Sequence, residues 1–370
     1  MLRFRAGDLL PTDTLVRGPL CGPPAPLPTR IIGPMLLSPS HRQFVTHLGL
    51  FAALLYAPLA AAEALRAGDR VLLVSTRPVG CATEAATLAT GVEGAEYTGC
   101  WNAVDAPATL ATLDPSTPTI FYVHGNRIEP SDARVRGLAV YRRLVACAAD
   151  DRPIQFVIFS WCSEKERGLL RDYRVKAART RPVAWQLAWT IDRLPASTPV
   201  GLLGYSYGAR VCSGTAHLMG GGSLSGLTYS PSTECAGCRR PLRAVYLAAA
   251  MDACWLSPRS YHGQALERLE SLLVTLDPRD PAMKFYKFVP RLADPPALGD
   301  VGPQGLDAAY AARVCTLNVA SAVGHSHDLY RYLAAPGVMP AAWRRLTFAD
   351  AASLPTPTLA AASSHAGDGA

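Results

Sequence analysis

The stretch that decides the fold is Pro199-Val200-Gly201-Leu202-Leu203-Gly204-Tyr205-Ser206-Tyr207-Gly208, a short apolar run followed at once by Gly-x-Ser-x-Gly. The apolar run is typical of a buried parallel strand, and residues 209–219 after it have helical spacing. A strand that reverses into a helix within two or three residues brings the backbone close to itself, so the positions two before and two after the turn need glycine. Gly204 and Gly208 stand there. The pattern therefore predicts a nucleophile elbow, with Ser206 on a strained turn above the carboxyl end of the strand.

Further apolar runs extend this unit into a sheet. They are typical of buried strands and cover residues 71–75, 119–123, 154–159, 200–203, 244–248, 271–275 and 313–318. Residues 133–149 and 173–194, which lie between such runs, are long enough for helices. Strands that alternate with helices predict an α/β fold, with a mainly parallel central sheet covered by helices on both faces.

Composition narrows the class of protein. The chain has 370 residues, of which 49% are hydrophobic and 18% charged, so it can bury one large core. The net charge of +7 is spread along the chain without a block of like charges, and we expect no nucleic-acid partner. No G-x-x-x-x-G-K-S/T pattern occurs and no G-x-G-x-x-G follows a first strand, so we expect no nucleotide or flavin cofactor.

An apolar run near the N-terminus, Leu48 to Ala62, has the layout of a signal peptide: His41, Arg42 and His47 precede it, and A-x-A sites end it. A signal peptide begins close to its initiator methionine, so we expect translation to start at Met35. The run is short for a membrane span of about 20 residues. We therefore expect export to the periplasm or the extracellular space and no stable membrane span in the mature chain. A buried or membrane-anchoring helix is the alternative.

These observations predict four regions. Residues 1–34 are an N-terminal extension outside the natural protein, residues 35–64 the signal peptide, and residues 65–345 the catalytic domain. Residues 346–370 are rich in Ala, Ser, Pro and Thr and are predicted to be a disordered tail.

If the protein is exported, some of its cysteines can form disulfide bonds, because the compartment outside the cytoplasm is oxidising. Cys81 and Cys100 flank a Gly-rich loop and are our candidates for a structural bridge. Cys235 and Cys238 resemble half of a zinc site, but no second C-x-x-C or H-x-x-x-H lies nearby to complete four ligands. We expect no metal.

The order of these motifs resembles the α/β-hydrolase superfamily over residues 70–335. It runs strand, His124-Gly125-Asn126, strand, Gly-x-Ser-x-Gly elbow, strand, Asp, strand, His. The resemblance implies a nucleophilic serine, here Ser206, followed along the chain by an acid and a histidine. The superfamily includes esterases, lipases, peptidases and thioesterases, so the resemblance alone names no substrate.

The acid and the base each have alternatives. Asp280 lies a few residues past the apolar run 271–275, where the superfamily's acid loop reaches toward the histidine, and it is our choice of acid. Asp277 and Asp252 are the other candidates, and Asp277 suits a turn-capping role. For the base we choose His327, since it falls where the superfamily's histidine loop meets the final helix, with His325 as its competitor. The acid orients the base, which takes the proton of the attacking serine.

Acyl transfer also needs N–H donors for the developing oxyanion. We expect one from the amide of Tyr207, directly after the nucleophile, and one from the amide of Asn126 in the His-Gly turn. His124 is expected to brace that turn. Two segments are candidates for a lid: residues 161–166 with 169–181, and residues 224–240.

The sequence therefore predicts an exported serine hydrolase, in the first place a carboxylic-ester hydrolase, whose partner is a small-molecule or lipid ester. A peptidase, a thioesterase or an acyltransferase would use the same residues. The alternative from another class is a non-catalytic domain of this fold that binds a ligand or partner.

Overall fold

The computed structural model describes residues 64–232, 239–286 and 295–349. The strands are β1 (Arg70–Ser75), β2 (Glu93–Tyr97), β3 (Trp101–Val104), β4 (Thr119–Val123), β5 (Gln155–Ser160), β6 (Val200–Tyr205), β7 (Ser223–Leu224), β8 (Leu227–Thr228), β9 (Leu242–Leu247), β10 (Ser271–Leu276) and β11 (Val314–Asn318). The helices are α1 (Ala85–Gly91), α2 (Ala106–Ala111), α3 (Pro130–Val145), α4 (Leu169–Ile191), α5 (Tyr207–Met219), α6 (Ala265–Arg268), α7 (Pro281–Phe285), α8 (Leu298–Val301), α9 (Ala308–Ala311), α10 (Ala320–Val323), α11 (Leu329–Ala334) and α12 (Val338–Leu346).

A nine-stranded sheet forms the centre of the described residues, in the order β11-β10-β9-β6-β4-β5-β1-β2-β3. Every pair from β11 to β1 is parallel, whereas β2 pairs antiparallel with β1 and β3 antiparallel with β2. The prediction of an α/β fold with a mainly parallel sheet is confirmed, and each predicted strand is present. The β2–β3 hairpin at the edge was not predicted, because its segments Glu93–Tyr97 and Trp101–Val104 lack a continuous apolar run.

Two apolar layers cover the sheet, one on each face. Side chains alternate along a strand, so in β4 Phe121 and Val123 join one layer while Ile120 and Tyr122 join the other. The first layer is built mainly by α4 and α5, and the second by α3, α11 and α12. Because both faces are covered, the central strands contain only buried residues, and functional side chains are confined to the strand ends and the loops.

Helix boundaries differ slightly from the predicted ones. Helix α3 begins at Pro130, three residues before the predicted start, since the fixed φ of proline suits the first helical position. Helix α4 begins at Leu169 and so includes part of the segment that we considered a lid. Helix α5 follows the Gly-x-Ser-x-Gly turn directly and ends before Gly220, as the glycine run there predicts.

The C-terminal boundary of the folded part lies beyond the predicted residue 345. Helix α12 ends at Leu346, whose side chain is 0% exposed, and ordered turn residues continue to 349. The predicted extension 1–34, the signal peptide up to residue 63, the remaining tail and the Cys235–Cys238 pair lie outside the described residues. Within the described ranges, no helix combines the length and apolarity needed to cross a bilayer.

Candidate active site

The turn between β6 and α5 has the strained backbone that its glycines predict. Ser206 adopts φ 55° and ψ −119°, a region that costs a non-glycine residue about 1–3 kcal/mol. A Cβ on Gly204 would lie 2.5 Å from Ala209 Cα, and one on Gly208 would lie 1.9 Å from the carbonyl oxygen of Val123. Only glycine fits at either position, and the turn therefore keeps Ser206 at the carboxyl edge of the sheet.

His327 lies beside this serine. Its Nε2 is 3.0 Å from Ser206 Oγ. The phenol of Tyr205 donates a hydrogen bond of 2.7 Å to the carbonyl oxygen of His327 and stacks on the imidazole, with ring centroids 5.3 Å apart. The residue before the serine thus holds the histidine loop against the turn.

Asp280 completes the arrangement from the far side of the imidazole. Its Oδ2 is 2.7 Å from His327 Nδ1 and also accepts a 2.7 Å hydrogen bond from the Tyr332 phenol. Its Oδ1 accepts from the backbone N–H groups of Ala282 (2.8 Å) and Met283 (3.4 Å), so Asp280 is the N-cap of α7. Because Nδ1 donates to the carboxylate, Nε2 is left to accept the serine proton.

The alternative candidates for the base and the acid, His325, Asp277 and Asp252, do not hydrogen-bond to Ser206 or His327. His325 is exposed and makes no hydrogen bond to Ser206 or to a carboxylate of the described residues. Asp277 is buried after β10, where burial raises its pKa and its Oδ1 accepts the amide of Arg279 at 2.9 Å. Asp252 accepts a 2.6 Å hydrogen bond from the Tyr286 phenol, and burial raises its pKa as well. The structure thus brings Ser206, His327 and Asp280 together and leaves the three alternatives apart.

The two residues predicted to supply oxyanion donors line the same pocket as Ser206 and His327. Tyr207 is the first residue of α5, so its N–H has no acceptor within the helix. The turn that carries Asn126 packs closely on the serine, since a Cβ on Gly125 would lie 3.0 Å from Ser206 Cβ. Both amides therefore belong to backbone next to the nucleophile.

His124 braces that turn from beneath. It is fully buried, which lowers the pKa of its imidazole to about 3, with the charge of Arg77 adding to the effect. The neutral ring donates from Nδ1 to the Gly125 carbonyl oxygen at 2.9 Å and accepts at Nε2 from the Trp161 amide at 3.3 Å. The Trp161 indole in turn donates to the His124 carbonyl oxygen at 2.9 Å. Arg127, three residues after His124 in the same turn, has a left-handed φ of 60°.

A buried ionic cluster anchors the same turn, and sequence reasoning missed it. Asp172 and Lys176 are both 0% exposed and lie one helical turn apart on α4 with 3.4 Å between Oδ1 and Nζ. Asp172 Oδ2 accepts a 2.8 Å hydrogen bond from Asn126 Nδ2 and lies 3.7 Å from Arg127 Nε. The spacing of an acid and a base four residues apart was visible in the sequence, but nothing there indicated that both are buried.

Ser206 opens into a cavity of about 720 Å³. Among the described residues, five aromatic side chains line it, namely Tyr173, Tyr205, Tyr207, Phe285 and Tyr286. The first turn of α4 also borders the cavity, so the earlier of the two predicted lid segments contributes to its wall. Within the described ranges, no group of three or more His, Cys, Asp or Glu side chains is arranged to hold a metal ion.

The predicted bridge between Cys81 and Cys100 is not found. Both are free thiols, and Cys81 hydrogen-bonds instead to Cys162, which follows β5. This bond lowers the pKa of the exposed Cys81 thiol to about 6. Cys81 lies near the loop after β5 because β1 and β5 are adjacent parallel strands. The spacing of cysteines in the sequence does not reveal this pairing of strands.

Comparisons with known proteins assign no family to this chain. No protein-family model matches the chain, and no curated protein matches it. Among solved structures, an acetyl xylan esterase, described as an iodinated complex, is similar to 55% of this chain and 83% of its own, with 15% sequence identity and a TM-score of 0.28.

Proposed function

We propose that this protein is a serine hydrolase of the α/β-hydrolase type that cleaves carboxylic esters through an acyl-enzyme. The observation that supports the proposal is the hydrogen-bonded chain Ser206–His327–Asp280 at the wall of the 720 Å³ cavity. A nucleophile, a base that reaches it and an acid that orients the base are the groups that this chemistry requires. The resemblance of the motif order to the superfamily agrees with the proposal.

In the first half-reaction, Ser206 Oγ attacks the ester carbonyl carbon while His327 Nε2 takes the hydroxyl proton. Asp280 holds the imidazole and stabilises its positive charge. The carbonyl oxygen becomes negatively charged and is met by the N–H groups of Tyr207 and Asn126, each of which contributes roughly 2.7–4 kcal/mol in such sites. The tetrahedral intermediate then collapses, and His327 returns the proton to the departing alcohol.

In the second half-reaction, water replaces the alcohol. His327 takes a proton from the water molecule as it attacks the acyl-enzyme, and Ser206 leaves with that proton. The acid is released and the site returns to its starting state. No redox or group-carrying cofactor enters either step.

The experiment is labelling of the purified protein with a fluorophosphonate, which phosphonylates activated serines. We expect labelling of the wild type and none of Ser206→Ala. Ser213→Ala is the matched control, because Ser213 lies on α5 at 2.9 Å from His262 and does not line the cavity. Folded wild-type protein that remains unlabelled would favour the non-catalytic binding domain.

Unlabelled protein from the same preparation is then offered 4-nitrophenyl esters of increasing chain length beside matched thioester and peptide-anilide substrates. We expect the esters to have the highest kcat/KM. Faster turnover of the thioester or the anilide would assign the site to a thioesterase or a peptidase, and transfer to an added alcohol would assign it to an acyltransferase.

We also propose that the protein is exported. The support is the apolar run 48–62 with its A-x-A sites. Mass spectrometry of the native protein should find an N-terminus near Glu63 or Leu65. Peptides from residues 1–30 in the mature protein would contradict this.

A further inference from the structure

The charge of the cavity wall is one-sided. Of the described side chains that line it, Arg127 and Arg136 are cationic, and no aspartate or glutamate is among them. Asp280 lies behind His327, and Asp172 lies beneath Asn126, where both carboxylates are fully buried and already hydrogen-bonded. Among the residues that the structure describes, the cavity wall therefore presents positive charge to a ligand and no carboxylate.

The two arginines differ in their partners. Arg127 is 3.7 Å from Asp172, with which it forms an ion pair. Arg136, which is half-buried on α3, makes no hydrogen bond or ion pair with any described residue. Asp132, one turn earlier on the same helix, is not within ion-pair distance of it. The charge of Arg136 acts instead on the buried phenol of Tyr205: burial raises the pKa of that phenol, and Arg136 opposes the shift.

A half-buried arginine without an acidic partner is uncommon, because partial burial weakens its hydration. The guanidinium has five N–H donors in a planar fork that matches the oxygens of carboxylate and phosphate. Such a group is suited to bind an anion that arrives from solution.

Other parts of the cavity wall are apolar. Leu169 and Leu170 at the start of α4 are 56% and 51% exposed, and Phe285 on α7 is 65% exposed. All three line the cavity, and Met283 extends the apolar surface inward. Exposed apolar side chains grouped around a cavity are typical of a surface that binds an apolar ligand.

From these observations we infer that the substrate is an amphipathic ester, with a carboxylate or phosphate that binds Arg136 and a hydrocarbon part that lies against Leu169, Leu170 and Phe285. This inference rests on the proposed function and names the substrate class of the same site. It makes Arg136 a specificity-determining residue that binds substrate and does not take part in the proton transfers.

The test uses two pairs of esters, because the anion can lie on the acyl side or on the alcohol side. The first pair is 4-nitrophenyl hexanoate and mono-4-nitrophenyl adipate, which differ by a terminal carboxylate on the acyl chain. The second pair is phenyl hexanoate and 4-carboxyphenyl hexanoate. Values of kcat/KM are compared between wild type and Arg136→Gln, so that differences in the intrinsic reactivity of the esters cancel.

We expect Arg136→Gln to lower kcat/KM for the anionic ester of at least one pair by about 10- to 100-fold, mainly through KM, since a hydrogen bond to a charged group has that strength. The neutral esters should change by less than about threefold. Arg136→Lys should restore part of the loss, and added salt should reduce the preference of the wild type. The matched control is Arg134→Gln, because Arg134 lies on the same helix over the Trp101 ring, outside the cavity.

Equal changes for the anionic and neutral members of both pairs would overturn the inference. If fluorophosphonate labelling of Ser206 and turnover of neutral esters persist in that case, only the substrate class is wrong. Absence of labelling in folded wild type would overturn the proposed function and this inference with it.

Discussion

Two serine–histidine pairs lie two helical turns apart in this molecule. Their comparison shows that a hydrogen bond between a serine and a histidine does not by itself make a candidate active site. Ser206 Oγ is 3.0 Å from His327 Nε2, and Ser213 Oγ is 2.9 Å from His262 Nδ1. The first serine precedes α5, and the second lies within it. By distance alone the pairs are equivalent.

The surroundings separate the two pairs. His262 is buried among the rings of Trp255 and Tyr261, and burial lowers its pKa well below the usual value. Among the described residues no carboxylate bonds to its second nitrogen, and it does not line the cavity. His327 is 24% exposed and bonded to Asp280. A serine and a histidine in contact are therefore a packing feature unless a carboxylate and an access route are present.

The largest effect that tests this comparison is the loss of Ser206. We expect Ser206→Ala to lower kcat for a 4-nitrophenyl ester by about 10⁶-fold, as removal of the nucleophile does in serine hydrolases. Ser213→Ala removes an equally short hydrogen bond, and kcat should stay within about threefold of wild type. A comparable loss of kcat in both folded variants would show that the pairs are not distinct.

Asp280→Asn converts the first pair into one that resembles the second, because the imidazole loses its carboxylate while the asparagine oxygen can still cap α7. We expect kcat to fall by about 10⁴-fold, since the histidine then has the wrong tautomer. Steady-state kinetics with the same ester measures this. A fall of less than tenfold would mean that another acid, Asp277 or Asp252, orients the base.

The buried histidines should make stability depend on pH. The pKa of His124 is lowered to about 3 and that of His262 is also lowered, so the folded state binds fewer protons than the unfolded state below the unfolded pKa of about 6.5. The free energy of unfolding therefore falls as pH drops through 6.5, by about 2 kcal/mol between pH 7.5 and 5 for His124 and by a further contribution from His262.

Urea unfolding at pH 7.5 and pH 5 measures that loss. His262→Gln should reduce this loss, since one group with a lowered pKa is removed. The control is His325→Gln, because His325 is exposed, and it should leave the pH dependence unchanged. An unchanged slope in His262→Gln would show that His262 is protonated in the folded protein.

The smallest effect concerns the second donor to the acid. Tyr332→Phe removes the phenol that donates to Asp280 Oδ2 at 2.7 Å. We expect kcat to fall by about 3- to 10-fold, which corresponds to one hydrogen bond, with KM unchanged. A change in KM alone would place Tyr332 in substrate binding instead.

Sequence patterns predicted the parts of the molecule whose causes are local. The apolar runs of the parallel strands and the glycines around Ser206 are local requirements of backbone geometry, and the placement of Asp280 and His327 after β10 and β11 follows the order of the strands. The roles of these residues in catalysis stay predictions until they are tested.

Other features depend on contacts between distant segments, which no local pattern records. Tyr332 reaches Asp280 across 52 residues, and Asn126 reaches Asp172 across 46. Arg136 is one of several arginines on α3, and the sequence does not distinguish it from the others. Only the fold shows that it is the arginine of this helix that lines the cavity. Cys81 and Cys162 meet because β1 and β5 are adjacent in the sheet and 85 residues apart in register.

The position of α12 bears on the biosynthesis of the protein. This C-terminal helix packs under the central strands β6 and β9, and the histidine loop comes shortly before it in the chain. Ser206 and His327 are 121 residues apart, which at about 5–20 residues per second corresponds to roughly 6–24 s between their appearance at the ribosome. During that interval the nucleophile exists without its base. Under the proposed function, a product that ends before His327 lacks the base, so such prematurely terminated chains would not hydrolyse the esters of the cell that makes them.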